Sequence, residues 1–221
     1  MNFDAETWRM IGIGMLQTIY MTGIASLLSY VIGLPLGVIL VVTEKDGIRP
    51  MPTLNRILGF VINILRSVPF IILLILVMPV TKVLVGTKIG PTAMIPPLVF
   101  SAAPYIARMI ESSLKEVDYG VIEAAKSMGA STWQIIYKVL VPEAVPSILV
   151  GAAISVTTII GYTAMAGFVG GEGLGDIAIR YGVYRYEFPI MIVTTVLLVV
   201  IVQIVQAGGI SLSKKSDKRI R

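Results

Sequence analysis

"IGIGMLQTIYMTGIASLLSYVIGLPLGVILVV", residues 11–42, runs for 32 residues without a single charged side chain. As a helix rising ~1.5 Å per residue it would reach roughly 48 Å, against a hydrocarbon core of about 30 Å in a bilayer. The run therefore crosses a membrane with length to spare, and must tilt, project beyond the bilayer, or bend near Gly33 and Pro35. Four further runs are long and apolar enough to follow it, at about 57–79, 93–113, 146–168 and 189–209. The expectation is an all-α integral membrane protein with five transmembrane helices in a single transmembrane domain, residues 1–221.

Composition agrees. The chain is 56% apolar and 14% charged, whereas soluble domains carry about 25% charge. Its net charge of +5 is scattered between spans and not gathered on an aromatic-studded face, which argues against a nucleic-acid partner. With no Cys and no His, thiol nucleophiles, disulfides, thiolate zinc sites and His-dependent triads are all excluded. The first nine residues hold Asp4 and Glu6 against Arg9, and the apolar run behind them is too long for a secretory signal. They read as an acidic leader to the first span.

Orientation follows from Lys and Arg. With the N-terminus outside, the inner segments hold Lys45, Arg49, Arg56, Lys115, Lys126, Lys138, Lys214, Lys215, Lys218, Arg219 and Arg221. The outer ones hold Arg9, Lys82, Lys88, Arg180 and Arg185. Eleven against five predicts N-out, C-in, with the basic tail as an anchor to the anionic inner leaflet. Two charges fall inside runs. Arg108 sits three residues before Glu111 at the inner end of the third, where snorkelling with a helical partner accounts for it. Arg66 either faces a watery path or belongs to an interfacial helix over 54–67, the true span then starting around Pro69; polar residues 55, 56, 63, 66 and 67 share roughly one face and favour the second reading.

Between the third and fourth runs the chain turns polar, over a loop of about 115–144 that the orientation places in the cytoplasm. A helix is predicted from about Asp118, which caps it, to Met128, with Gly129 at a left-handed stop. Ser131 to Gln134 match a capping box that opens a second helix, expected to end before Pro142. Ala124, Ala125, Gly129 and Ala130 leave the corner nearly bare beside Glu123 and Lys126. Two readings are open on physics alone: a surface over which a partner fits and pushes on two helices, or a hairpin floating on headgroups.

"EAAKSMGASTWQIIYKVLVP" resembles the EAA loop of ABC importer permeases, through Glu123, Ala124, Ala125, Gly129, Val139, Val141 and Pro142. Family members more often have Leu at the position of Val141. "NILRSVPFIILL" (63–74), "VGTKIG" (85–90), "AAPYIARMIESSLKEV" (102–117) and "GYTAMAGFVGGEGLGDIAIRYG" (161–182) are similar to the methionine (D-methionine) import permeases of that superfamily. The resemblance implies that Glu123, Ala124, Ala125, Gly129, Ala130 and Ser131 belong to a coupling helix docking on a separate ATPase. It further implies a homodimer in the bacterial inner membrane, two ATPase subunits that hold ATP and Mg, and an external substrate-binding lipoprotein. This chain has no phosphate-binding loop of its own, since "VGTKIG" lacks the spacing.

From Gly151 to Gly167, 11 of 17 residues are Gly, Ala, Ser or Thr; from Pro189 to Ala207, 3 of 19 are. Small residues admit close approach, so the fourth span is expected to be the buried one. On it Gly151, Ser155, Thr158, Tyr162 and Met165 fall on one face, fit either for lining a path for an amphipathic amino acid or for plain helix packing. By similarity to the methionine permeases, Met165, flexible and polarizable, is placed at the constriction. "GGEGLGD" (170–176) has no strand–turn–helix context for dinucleotide binding and no second intramembrane aspartate for proteolysis, and reads as a re-entrant or flexible outer loop. The rival function, a stand-alone secondary amino-acid carrier, would want an ionisable group inside a span, and Glu111 is the only acidic residue there, near the inner edge.

Overall fold

The computed structural model describes residues 4–217. The tail residues Lys218, Arg219 and Arg221 lie outside the described residues, as do the first three residues of the leader. Among the described residues there is no strand. Helix α1 spans Ala5–Val42, α2 Pro52–Ser67, α3 Phe70–Val85, α4 Pro91–Lys115 and α5 Tyr119–Ser127. There follow α6 (Thr132–Ile135), α7 (Val141–Ala166), α8 (Gly173–Ile179) and α9 (Phe188–Ser216). Four helices are long and apolar enough to cross a membrane, or five if the bent pair α2–α3 counts as one span.

Three boundaries depart from expectation. First, α1 starts inside the acidic leader, because Asp4 accepts the Thr7 amide at 2.8 Å and the Thr7 hydroxyl at 2.7 Å and so caps the helix. The helix has 38 residues, about 57 Å at 1.5 Å each, and continues through Pro35. Second, the run 57–79 is not one helix. The chain turns by 106° between α2 and α3, at Val68–Pro69, so Arg66 lies on a helix separate from the one that starts at Phe70. A residue before proline avoids the α conformation, and proline cannot donate to the preceding turn.

Third, the helix opening at Thr132 does not end before Pro142; it runs on as one element, Thr132–Val169, so the fourth span begins in the hairpin itself. The proline is tolerated because residues 136–140 form a π-turn, closed by the Val141 amide on the Ile136 carbonyl. Widening the ladder by one residue just ahead of Pro142 accommodates a ring that a regular α-turn would clash with.

The chain divides into two compact units. The first comprises Met1–Leu28, Val68–Ala102 and Val156–Val205. Here α8 is packed against α1 and α7 through glycines: a Cβ at Gly167 would lie 2.5 Å from the Asp176 nitrogen, and one at Gly175 would overlap Ala164. Thr18 on α1 accepts the Leu174 amide at 2.9 Å, and the Gly90 amide donates to the Gly170 carbonyl at 2.9 Å. The "GGEGLGD" segment is thus a buried helical turn and not a loose loop, since glycine allows backbone-to-backbone contact there.

The second unit comprises Ser29–Ser67, Ala103–Ser155 and Gln206–Arg221. Leu40, Ile62 and Ala107 form its apolar cluster, with Leu36 and Leu58 against it. Gly33 and Gly37 bring α1 onto α4, where added Cβ atoms would stand 2.9 Å from the Ala103 carbonyl and 2.6 Å from that of Ala107. Asn55 on α2 donates to the Leu40 carbonyl at 2.6 Å, satisfying an end carbonyl of α1.

Burial within the single chain ranks the spans. Of the apolar windows, that of α4 is 67% buried, that of Thr132–Val169 33% and that of α9 11%. The contrast between fourth and fifth spans holds, and within the single chain the third span is the most enclosed. Ala93, Ala102, Ala103 and Ala107 on α4 are all buried, whereas α7 leaves Ile154 and Met165 exposed and has nothing within 4 Å of Gly161.

Candidate functional site

The hairpin forms as its residues dictate. Asp118 accepts the Gly120 amide at 2.6 Å and caps α5. Gly129 follows at φ +77°, where an L side chain is strained, and carries the chain round the corner. Ser131 opens α6 with a reciprocal capping box: its hydroxyl accepts the Gln134 amide at 3.4 Å, and its own amide donates to the Gln134 side-chain oxygen at 2.8 Å. Ile122, Ile135 and Leu140 are buried and anchor the hairpin.

Its outer surface is unpartnered. Glu123, Ala124, Gly129 and Ser131 are exposed, Ala125 and Ala130 half-buried. Around them stand Met128, 86% exposed, and Trp133, 75% exposed, with Tyr137 also exposed. Large apolar side chains exposed on an otherwise polar hairpin mark a surface that meets a protein or a membrane. The helix α6, the π-turn and α7 form one continuous element, Thr132–Val169, which starts just after the corner.

The four candidate path residues share α7 but not one environment. Ser155 is fully buried, its hydroxyl donating to the Gly151 carbonyl at 2.8 Å. Thr158 and Tyr162 are half-buried, and Met165 is 48% exposed. The Tyr162 ring lies flat on Phe70, with centroids 4.4 Å apart and planes 8° from parallel. Phe70, the first residue of α3, was missed in sequence; its position right after the Pro69 break was the available signal. Ser155 serves packing in this conformation, while Tyr162 and Met165 line accessible surface.

Charge near the end of α4 is neutralised in a network. Arg108 donates to Glu111 at 2.6 Å, to Asn63 at 2.9 Å and to the Gly59 carbonyl at 3.1 Å. Lys115 bridges Glu111 and Glu44, both at 3.1 Å. Arg108 thus ties α4 to α2, which goes beyond snorkelling beside a helical neighbour. Elsewhere Asp176 on α8 pairs with Arg180; burial pushes its carboxyl above the usual range, and Arg180 opposes that. Among the described residues no group of three metal-ligating side chains is present.

Several helices long and apolar enough to cross a membrane, with an exposed hairpin between two of them, define a multi-pass membrane protein. Residues 33–209 match the family model for the binding-protein-dependent transport system inner membrane component, and the chain belongs to that family, as a permease subunit of the ABC importer class. The Vibrio cholerae protein described as "Probable D-methionine transport system permease protein MetI" is 54% identical, over 92% of this chain and 90% of its own length. The Bacillus subtilis methionine import system permease protein MetP is 45% identical over 82% of each chain. In structure, a chain of the inward-facing MetNI methionine ABC transporter matches with a TM-score of 0.96 at 42% identity, over 97% of this chain and 100% of that one.

Proposed function

We propose that this chain is the membrane permease of an ATP-driven importer for methionine or a closely related amino acid. It works as a pair of identical chains in the bacterial inner membrane, N-terminus out and C-terminus in. Two ATPase subunits carry ATP and Mg and bind the hairpin at Glu123, Ala124, Ala125, Gly129, Ala130 and Ser131. An external substrate-binding lipoprotein delivers the amino acid. Met165, with Tyr162, Thr158 and Ser155 on the same helix, forms or supports the gate.

The observation that carries this reading is the exposed corner at Gly129, continuous through the π-turn with the helix bearing Met165. A docked subunit that moves the corner moves the gate helix with it. Similarity to proteins named for methionine transport supports the substrate class. A secondary carrier is not favoured: Glu111, the in-span carboxylate, is already matched by Arg108 and Lys115.

The test is reconstitution. The chain, coexpressed with its ATPase, is placed in proteoliposomes with the binding protein outside and ATP within. Uptake of labelled methionine that needs ATP and stops when the ATPase is omitted supports the proposal. Uptake by the chain alone, driven by an ion gradient, would sink it.

A further inference from the structure

The first turns of α1 and helix α8, both in the first unit, line an open cavity of about 410 Å³ that the functions above leave unassigned. That volume is in the range of small-molecule sites. Its walls carry both signs of charge beside apolar surface: Glu6 and Arg9 with Met10 and Ile13 on one side, Glu172 and Ile177 on the other. No ion pair among the described residues engages Glu6, Arg9 or Glu172, whereas the remaining two charges, Asp176 and Arg180, pair with each other. The cavity thus presents one unpaired guanidinium and two unpaired carboxylates.

Glu172 is held in place for this. Its backbone adopts φ +58°, a left-handed conformation that a non-glycine residue keeps only when its surroundings impose it. Gln17 of α1 donates to the Glu172 carboxylate and accepts the Gly173 amide at 3.1 Å, fixing the side chain at the rim. Asp176 on the same wall is matched by Arg180, which leaves Glu172 as the carboxylate there without an ion pair. A metal ion is a poor fit, because the three carboxylates do not gather into a ligand set.

We infer that this cavity binds a free zwitterionic amino acid with an apolar side chain, its carboxylate on Arg9, its ammonium at Glu172 and Glu6, and its side chain against Met10, Ile13 and Ile177. The inference rests on the import reading above and deepens it. On the N-terminal face of the protein such a site is a vestibule that holds substrate between release from the binding protein and entry to the membrane path.

The experiment uses the full chain with its ATPase in nanodiscs, without binding protein, for equilibrium binding of radiolabelled L-methionine; uptake is measured in parallel in the proteoliposomes described above, with binding protein outside and ATP within. Saturable binding is expected, weakened about tenfold, roughly one charge-assisted contact, in Arg9→Gln and in Glu172→Gln. N-acetylmethionine, which lacks the ammonium, and methionine methyl ester, which lacks the carboxylate, should fail to compete. Arg9 is exposed, so its variant keeps the test valid if Glu172→Gln folds poorly. Binding unchanged in Arg9→Gln, or lost only in Met165→Ala, overturns the site. Absence of parent binding while ATP-driven methionine uptake proceeds also overturns it and leaves the import reading standing. Uptake missing in the parent overturns both.

Discussion

The Val141 amide donates to the Ile136 carbonyl, five residues back, in the residue immediately before Pro142. This one widened turn joins the docking hairpin to the membrane helix. Replacing Pro142 with Ala restores an amide that can close a regular α-turn on Lys138 and removes the reason for the bulge. Pro142→Ala is expected to hold or raise the thermal midpoint while hydrolysing more ATP per methionine imported. An unchanged coupling ratio would show that the turn has no part in transmission.

At Gly129 the constraint is conformational and not steric, since nothing lies within 4 Å of where a side chain would start. With φ at +77°, Gly129→Ala should cost roughly 1–2 kcal/mol and reduce ATPase copurification, and Gly129→Asn, which tolerates the left-handed region, should cost less. Gly129→Trp fills the corner and should abolish copurification. Retention of a full complement of ATPase by the Trp variant would place the docking surface elsewhere.

The Arg108 fork reaches three partners on two helices. Arg108→Leu should lower stability by about 2 kcal/mol, because Glu111 is left more than four-fifths buried with one cation fewer. Arg108→Lys should recover less than half of that, since an ammonium cannot span Glu111 and Asn63 together. Thermal midpoints in one detergent decide it: a Lys variant as stable as the parent removes the fork argument.

Met165 is the accessible end of the α7 stripe. Met165→Ala is expected to admit methionine without ATP, seen as passive leak from loaded proteoliposomes with the thermal midpoint little changed. Basal leak equal to the parent's would assign Met165 to contact with another surface.

How much of this was legible beforehand depends on what kind of physics set each element. The caps at Asp118 and Ser131 and the stop at Gly129 are local effects, and the sequence alone locates them. So is the break at Pro69. The course through Pro142 was misread because a π-turn has no residue signature; only the surrounding helix shows that the proline can be absorbed. The rank of burial within one chain is not legible for a different reason. Small residues on α7 signal close approach, but not by what, and within one chain α4 meets the glycines of α1 while part of α7 stays open. Phe70 against Tyr162 is a tertiary contact between residues 92 apart in sequence, which no local pattern records.

Strong acid should release the cap at the start of α1. The hydroxyl and amide of Thr7 hold the Asp4 carboxyl below its ordinary value of 3.8, so the cap is fully present above that value and is lost as pH falls through the folded one. In a Trp133→Phe background, Trp8 fluorescence should change across that acid range in the parent and stay flat in Asp4→Asn. Identical titrations in the two would assign the transition to another group.

Helix α1 is notched twice where α4 seats, at Gly33 against the Ala103 carbonyl and at Gly37 against that of Ala107. Each residue turns a helix by about 100°, so deleting one residue between the notches would swing one seat a quarter-turn or more away from its partner. Substitutions in that stretch are absorbed locally; insertions and deletions are not. The length of α1 between its glycines is therefore held fixed more tightly than the identity of the residues that fill it.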